Sequence, residues 1–179
     1  MQVEQCLKKA YRSIFDNDFE GAIHWFEQAL SEGPDHADIH YRLSITCARS
    51  DRLEKAIHHA RLAATLEPAH KEYKSHYDRL QSKELTVMAK KQLEQSHSQA
   101  RRGRLAESAV HLLERAVHLD PLSVIAQLWL AIAYGELQQY ALALQAVQEA
   151  SQLPQDEAIT KQLLTLEQRF KSKIKQSSS

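Results

Sequence analysis

The chain has 179 residues, 43% of them hydrophobic, and its 23 basic side chains balance 23 acidic ones. That length suffices for a substantial core or for several stacked repeats, and the neutral balance removes any general drive toward nucleic acid or anionic membranes. Only four glycines and four prolines interrupt it, so turns are few, elements are long, and an all-α chain is expected.

A first helix opens near Val3 with Leu7, Ala10, Tyr11 and Ile14 on one face, and Asp16-Asn17-Asp18 makes a turn. Phe19, Ala22, Ile23, Phe26 and Ala29 line the helix that follows. The stretch from Ala37 to His70 copies this plan. Leu43, Cys47 and Ala48 recur at helical spacing, Arg49-Ser50-Asp51-Arg52 is short enough only for a turn, and Leu53, Ala56, Ile57, Ala60 and Ala63 form a second apolar face. Glu67-Pro68 ends that helix, because the residue before a proline is pushed out of helical geometry.

Residues 71–101 contain neither proline nor glycine. At about 100° per residue, Tyr73, Tyr77 and Leu80 cluster on one side, Leu93 and Ala100 point roughly opposite, and Leu85 and Met88 lie between. Such a helix packs on one neighbour and then on another: 71–82 closes the first half and 86–101 opens the second, as one continuous or kinked connector. The third hairpin is expected to turn at Arg101-Arg102-Gly103-Arg104, with Leu105, Ala109, Leu112, Leu113 and Ala116 in its second helix and Asp120-Pro121 at its end. The fourth places Leu130, Ala131 and Tyr134 before its turn and Tyr140, Ala143, Val147 and Ala150 after it, stopping at Pro154. A last helix runs from Asp156 to about Lys175, with Ile159, Leu163, Leu166 and Phe170 on one stripe and Lys161, Arg169, Lys171 and Lys173 on the other face. Ser177-Ser178-Ser179 should fray.

The prolines form a comb: Pro34 and Pro68 stand 34 residues apart, Pro121 and Pro154 stand 33 apart. A period of that size marks a helical repeat array. Leu43 and Ser44 in one helix, Ala56 and Ala63 in the next and Pro68 at the close occupy slots that resemble the tetratricopeptide repeat, with Ala60 in place of its usual large aromatic. The resemblance implies a solenoid of four helix-turn-helix repeats in two pairs, 1–82 and 83–179, with a connecting helix and a C-terminal capping helix. It speaks to fold and is nearly silent on function.

Catalysis finds no home in this sequence. There is no glycine-rich phosphate loop, HExxH motif or nucleophile elbow. His36 and His40 have a chelating spacing beside Asp35 and Asp38 but no assured third ligand. His58 and His59 are adjacent and face different ways, and His111 and His118 are two turns apart. Cys6 and Cys47 fall on apolar faces and read as buried hydrophobes. No metal, cofactor or small-molecule substrate is therefore expected. The start, MQVEQCLKK, lacks a secretory signal, and the apolar run from Leu122 to Tyr134 falls short of the ~20 residues a membrane span needs. A soluble, cytoplasmic protein is expected.

Binding does have candidates. By the resemblance, the first helix of each hairpin lines an inner surface, which in the first half would carry Lys8, Arg12, Arg42, Arg49 and Lys74. Stacked arginines could grip an acidic or C-terminal carboxylate segment, or the face is simply solvated. The family's carboxylate clamp is not matched, since Arg12 and Arg42 stand where it needs asparagines. In the fourth hairpin, Leu130, Ala131 and Tyr134 account for the core, yet Ile125, Leu128, Trp129 and Ile132 are apolar too. A helix without a polar face is buried on every side. Either its neighbours cover it, or a bound peptide or a second copy does. The leading expectation is a non-enzymatic scaffold or adaptor that holds a peptide or protein surface in its groove. A chaperone or assembly factor shielding an apolar client comes second, and a structural homo-oligomer third. Nucleic-acid binding through Lys90, Lys91, Arg101, Arg102 and Arg104 ranks lower, because those charges lack interleaved aromatics.

Overall fold

Short side chains at regular intervals let helix axes approach closely, and the chain folds accordingly. The computed structural model describes residues 2–33, 35–95 and 99–177; Pro34, Ser178, Ser179 and the side chains of Ala100 and Arg101, which carry expectations above, lie outside that description. Among the described residues there are nine α-helices and no strand: α1 Gln2–Phe15, α2 Phe19–Ser31, α3 Ala37–Arg49, α4 Leu53–Leu66, α5 Lys71–Glu94, α6 Gln99–Leu119, α7 Val124–Glu136, α8 Tyr140–Ser151 and α9 Glu157–Ser177. The architecture is an all-α helical repeat.

Three of the hairpins share one turn. Asn17, Asp51 and Gln138 adopt left-handed backbone, with φ of 57°, 60° and 59°. The next residue's N–H then reaches back five residues: Asp18 to the Ser13 carbonyl at 2.8 Å, Arg52 to Cys47 at 2.9 Å, and Gln139 to Tyr134 at 2.9 Å. This is the Schellman ending, which satisfies carbonyls that a helix terminus would otherwise orphan. Side-chain caps start α2, α7 and α9. The Asp18 carboxylate accepts from Gly21 N at 2.9 Å, and a Cβ on Gly21 would lie only 2.0 Å from an Asp18 oxygen. Ser123 caps α7 and Asp156 caps α9 in the same way.

The chain forms two compact units, Met1–Leu80 and Gln81–Ser179. In the first, α1 packs on α2 and α3 on α4. Ala10, Ala22, Ala56, Ala60 and Ala63 are wholly buried and let Phe26, Ile23 and Leu43 fill the space between helices. Tyr77 and Leu80 of α5 join this core, and Tyr73 packs beside Ala37 and Ala63. In the second unit, α6 packs on α7, α7 on α8 and α8 on α9. Ala109, Leu113, Ala131, Ala143, Val147, Leu163 and Phe170 form its core, with Ala89 and Leu93 of α5 packed into it.

The third hairpin corrects the sequence reading. No turn interrupts 101–104: α5 ends at Glu94 and α6 runs unbroken from Gln99 to Leu119. Gly103 is helical and meets nothing where a Cβ would stand. A helical glycine costs about 1 kcal/mol against alanine, which the stripe of Ala106, Ala109, Val110 and Leu113 beyond it easily offsets. The stretch 71–101 is thus two helices.

Candidate functional site

Each unit carries a cleft. The first-unit cleft is built where the side chains of α1 and α3 meet near their C-terminal ends. Arg42 and Arg49 come together there with Tyr11, Ile14, Phe19 and Ile45 around about 110 Å³, roughly the room of three or four waters. The arginines are already engaged. Arg42 Nε donates to Asp38 at 2.7 Å, a hydrogen bond that raises the guanidinium's pKa further, and its plane lies 5.3 Å from the Tyr11 ring. Arg49 lies 5.9 Å from Phe19. Lys8, Arg12 and Lys74 are exposed and stand outside this cleft. Arg12 approaches Asp16 at 3.9 Å and Lys74 approaches Asp78 at 4.0 Å. The structure therefore brings together two of the five expected cations, in a space too small for a peptide.

The second-unit cleft is larger, about 790 Å³. Ile125, Leu128, Trp129 and Ile132, the apolar residues left over on α7, all line it. They divide by depth: Leu128 is only 4% exposed, whereas Ile125 is 44% exposed and Trp129 and Ile132 are half-buried. The rest of α7 is covered as a repeat demands. Ala126, Leu130, Ala131 and Ala133 are buried, and the lone polar residue on the buried side, Gln127, donates to Glu149 of α8 at 3.2 Å. Tyr134 donates to Glu114 at 2.7 Å, and burial together with that carboxylate pushes its phenol up to about 12.

The cleft stays open because of what α9 presents. This helix packs along α8 and touches α7 only sparsely. Its fixed point is Phe170, whose ring takes the space a side chain on Gly135 would need, with ring carbons 2.8 and 2.9 Å from an added Cβ. Further back, α9 turns Ala158, Gln162 and Thr165 toward α7, with Ile159 and Leu166 beside them. Short and polar side chains do not reach across. Lys161 stands on this wall, and Lys90 of α5 stands on the other side with its ammonium 5.4 Å from the Trp129 ring. Among the described residues, no carboxylate lines the cleft.

Sequence reasoning found the α7 wall and missed the α9 wall. Lys90 figured only as a nucleic-acid candidate and Lys161 only as part of a solvated face. Ala158 and the polar Gln162 and Thr165, at helical spacing, were the available signal. Two of the nucleic-acid candidates meet carboxylates: Arg102 pairs with Glu136 at 2.8 Å, and Lys90 approaches Glu94 at 3.8 Å.

Histidines form a second cluster that spacing could not reveal. His40 and His59 face each other Nδ1 to Nδ1 at 2.9 Å. His40 Nε2 is buried 3.4 Å from an Asp35 oxygen without closing a hydrogen bond. Ser44 donates its hydroxyl proton to the Ala56 carbonyl at 2.7 Å, so His76, whose Nε2 lies 2.9 Å away, must be the donor to that oxygen. Burial, then neighbouring cations and histidines, hold His59 and His76 neutral with pKa values of about 4. Among the described residues, no three His, Cys, Asp or Glu converge as metal ligands. Cys6 and Cys47 are free and buried, and burial pushes the Cys47 thiol up to about 11, far from a reactive thiolate.

Comparison with known proteins follows the same division. Residues 16–83 and 93–157 each match a sequence model of the tetratricopeptide repeat. No curated protein matches the chain by sequence. Among solved structures, MamA residues 41 to the end from Desulfovibrio magneticus RS-1 superposes with a TM-score of 0.53 at 14% identity, covering 99% of this chain and 98% of that one. A second MamA structure gives 0.51 at 15% identity, over 97% and 88%. At such identities the likeness is one of fold.

Proposed function

The chain belongs to the tetratricopeptide-repeat family, whose members mediate protein–protein interactions, and from that premise we propose a non-enzymatic scaffold or adaptor that holds a protein segment in the cleft between α7 and α9. One observation carries this reading: an open apolar trough of about 790 Å³ with no acidic lining, on a helix otherwise packed as the repeat requires. Apolar area left in water costs about 25 cal/mol per Å² relative to burial, so a trough of this kind is worth keeping only for an occupant. Cytoplasmic residence is part of the proposal and agrees with two unpaired cysteines. No helix among the described residues is long and apolar enough to cross a membrane.

The basic face of Lys8, Arg12, Arg42, Arg49 and Lys74 takes a lesser part, because its two clustered arginines are held by Asp38 and by aromatic rings. The test compares partner capture by the wild type, by Trp129→Ala/Ile132→Ala and by Arg42→Glu/Arg49→Glu, with folding checked by circular dichroism. Loss of partners confined to the first variant is expected. Retention of every partner by a folded Trp129→Ala/Ile132→Ala protein would remove the cleft from consideration. The same cleft also suits an assembly factor that shields an apolar client, and a client whose solubility does not change on co-expression would eliminate that use.

A further inference from the structure

We propose that the α7–α9 cleft takes an amphipathic α-helix whose apolar stripe is bordered by acidic residues; this rests on the cleft being the binding site. Two features of the lining select that occupant. The first is backbone chemistry. Both walls are helices whose main-chain groups are spent internally, and the polar side chains that line the cleft are few: Gln162, Thr165 and the two lysines. An extended segment lying there would lose water from its N–H and C=O groups and find almost nothing to replace it, and each unpaired buried group costs free energy. A helix arrives with its backbone already satisfied and offers only side chains. The second feature is charge. Lys90 and Lys161 stand on opposite walls with no carboxylate in the lining between them. Lys90 also meets Glu94 at 3.8 Å, a distance at which an exposed pair is weak. A guest helix with Leu, Ile or Phe at i, i+3, i+4 and i+7 would cover Ile125, Trp129 and Ile132, and acidic residues flanking that stripe would meet the two ammonium groups. A second copy of this chain fits less well, since two such clefts face to face would oppose lysine to lysine.

The probes are three fluorescently tagged peptides of about 18 residues, roughly 27 Å of helix. One carries leucines at i, i+3, i+4 and i+7 flanked by glutamates, one has lysines for those glutamates, and one is the acidic peptide broken by two prolines. Anisotropy titrations against the full chain at low salt should show the acidic helix binding about tenfold more tightly than either other peptide, with the gap to the basic peptide closing at high salt. Lys90→Glu/Lys161→Glu, folded by circular dichroism, should invert the order of the acidic and basic peptides. Equal binding of acidic and basic peptides, an order unmoved by the charge reversal, or a proline-broken peptide that binds as well would overturn the helix assignment while leaving the cleft intact. Unchanged affinity of the acidic peptide for a folded Trp129→Ala/Ile132→Ala variant would overturn the cleft as well. Light scattering that shows a dimer dispersed by that variant would assign the cleft to a second copy and overturn the proposal.

Discussion

Where α3 of the first unit buries three polar side chains, α7 of the second buries only one, Gln127, and leaves Ile125 uncovered. His40, Ser44 and Thr46 all lie on α3, bonded to His59 and the Ala56 carbonyl of α4 and to the Arg42 carbonyl. At the matching positions of α7 stand Gln127, Ala131 and Ala133, and the second unit keeps Ile125 and Leu122 at 44% and 74% exposure. Both build the same hairpin, so the repeat constrains side-chain size at the helix crossings and leaves polarity free. Interiors with hydrogen-bonded polar groups specify geometry and respond to pH, whereas a largely apolar helix gains surface for a partner. Under the function proposed above, the first unit serves as support and the second as the working face.

The largest expected effect isolates the two interiors. Phe26 is fully buried and Phe170 is 1% exposed, so truncating either to alanine should cost about 3–5 kcal/mol. Native-state hydrogen exchange should show Phe26→Ala loosening α1–α4 and Phe170→Ala loosening α6–α9. If either variant lowers protection equally in both units, the chain is one cooperative body and the contrast drawn here has no thermodynamic meaning.

Acid should act on one side only. His59 and His76 have folded pKa values of about 4 against 6.5 for a free histidine. Between those limits the unfolded chain binds more protons, so stability is complete above about pH 6.5 and declines as pH falls through 4. The groups facing these rings are mixed: His40, His58, Lys55 and Glu27 around His59, Arg79 and Glu72 around His76, with Asp35 beyond His40. In the second unit the described histidines, His111 and His118, are exposed. Exchange measured at pH 7 and pH 5 should therefore show protection falling first in α3, α4 and the start of α5. His59→Gln/His76→Gln should flatten that dependence; an equal acid response in both units would contradict it.

Overpacking gives a third comparison. Ala56 is wholly buried between α3 and α4, and a Cβ on Gly135 would press on Phe170. Ala56→Leu and Gly135→Ala should each lower stability by about 1–3 kcal/mol. Gly135→Ala, however, should also shift α9 and so weaken binding at the cleft, an effect Ala56→Leu should lack. An unchanged melting temperature in Ala56→Leu would count against the register of the second repeat.

Much of this fold is legible in the chain because repeats announce themselves by small residues at fixed intervals. Ala56, Ala63, Ala143 and Ala150 locate helix crossings whatever surrounds them. Legibility fails where a residue type has two physical uses. Gly103 looks like a turn because glycine supplies positive φ, yet it is simply helical, and the left-handed positions went to Asn17, Asp51 and Gln138. The cleft was half legible for a similar reason. Ile125, Trp129 and Ile132 stand out as surplus apolar residues on one helix, but whether α9 would cover them depended on how far Gln162 and Thr165 reach. The His40–His59 contact joins residues 19 apart on different helices, which no local period encodes.

The smallest effect concerns the shared turn. A left-handed residue with a side chain costs roughly 1–2 kcal/mol, and asparagine and aspartate lessen this by bonding locally. The first unit places Asn17 and Asp51 there, while the second places Gln138, whose longer side chain has no such relief. Gln138→Gly should therefore stabilise the α7–α8 hairpin, by less than the full strain because glycine also loses more entropy on folding. A net gain of about 0.5 kcal/mol is expected, read as a higher denaturation midpoint with unchanged slope. Gln138→Asn should recover part of it, and Asp51→Gly should give little. Equal gains at 138 and 51 would mean that the strain belongs to the turn itself, and that the choice between asparagine, aspartate and glutamine there does not distinguish the two units.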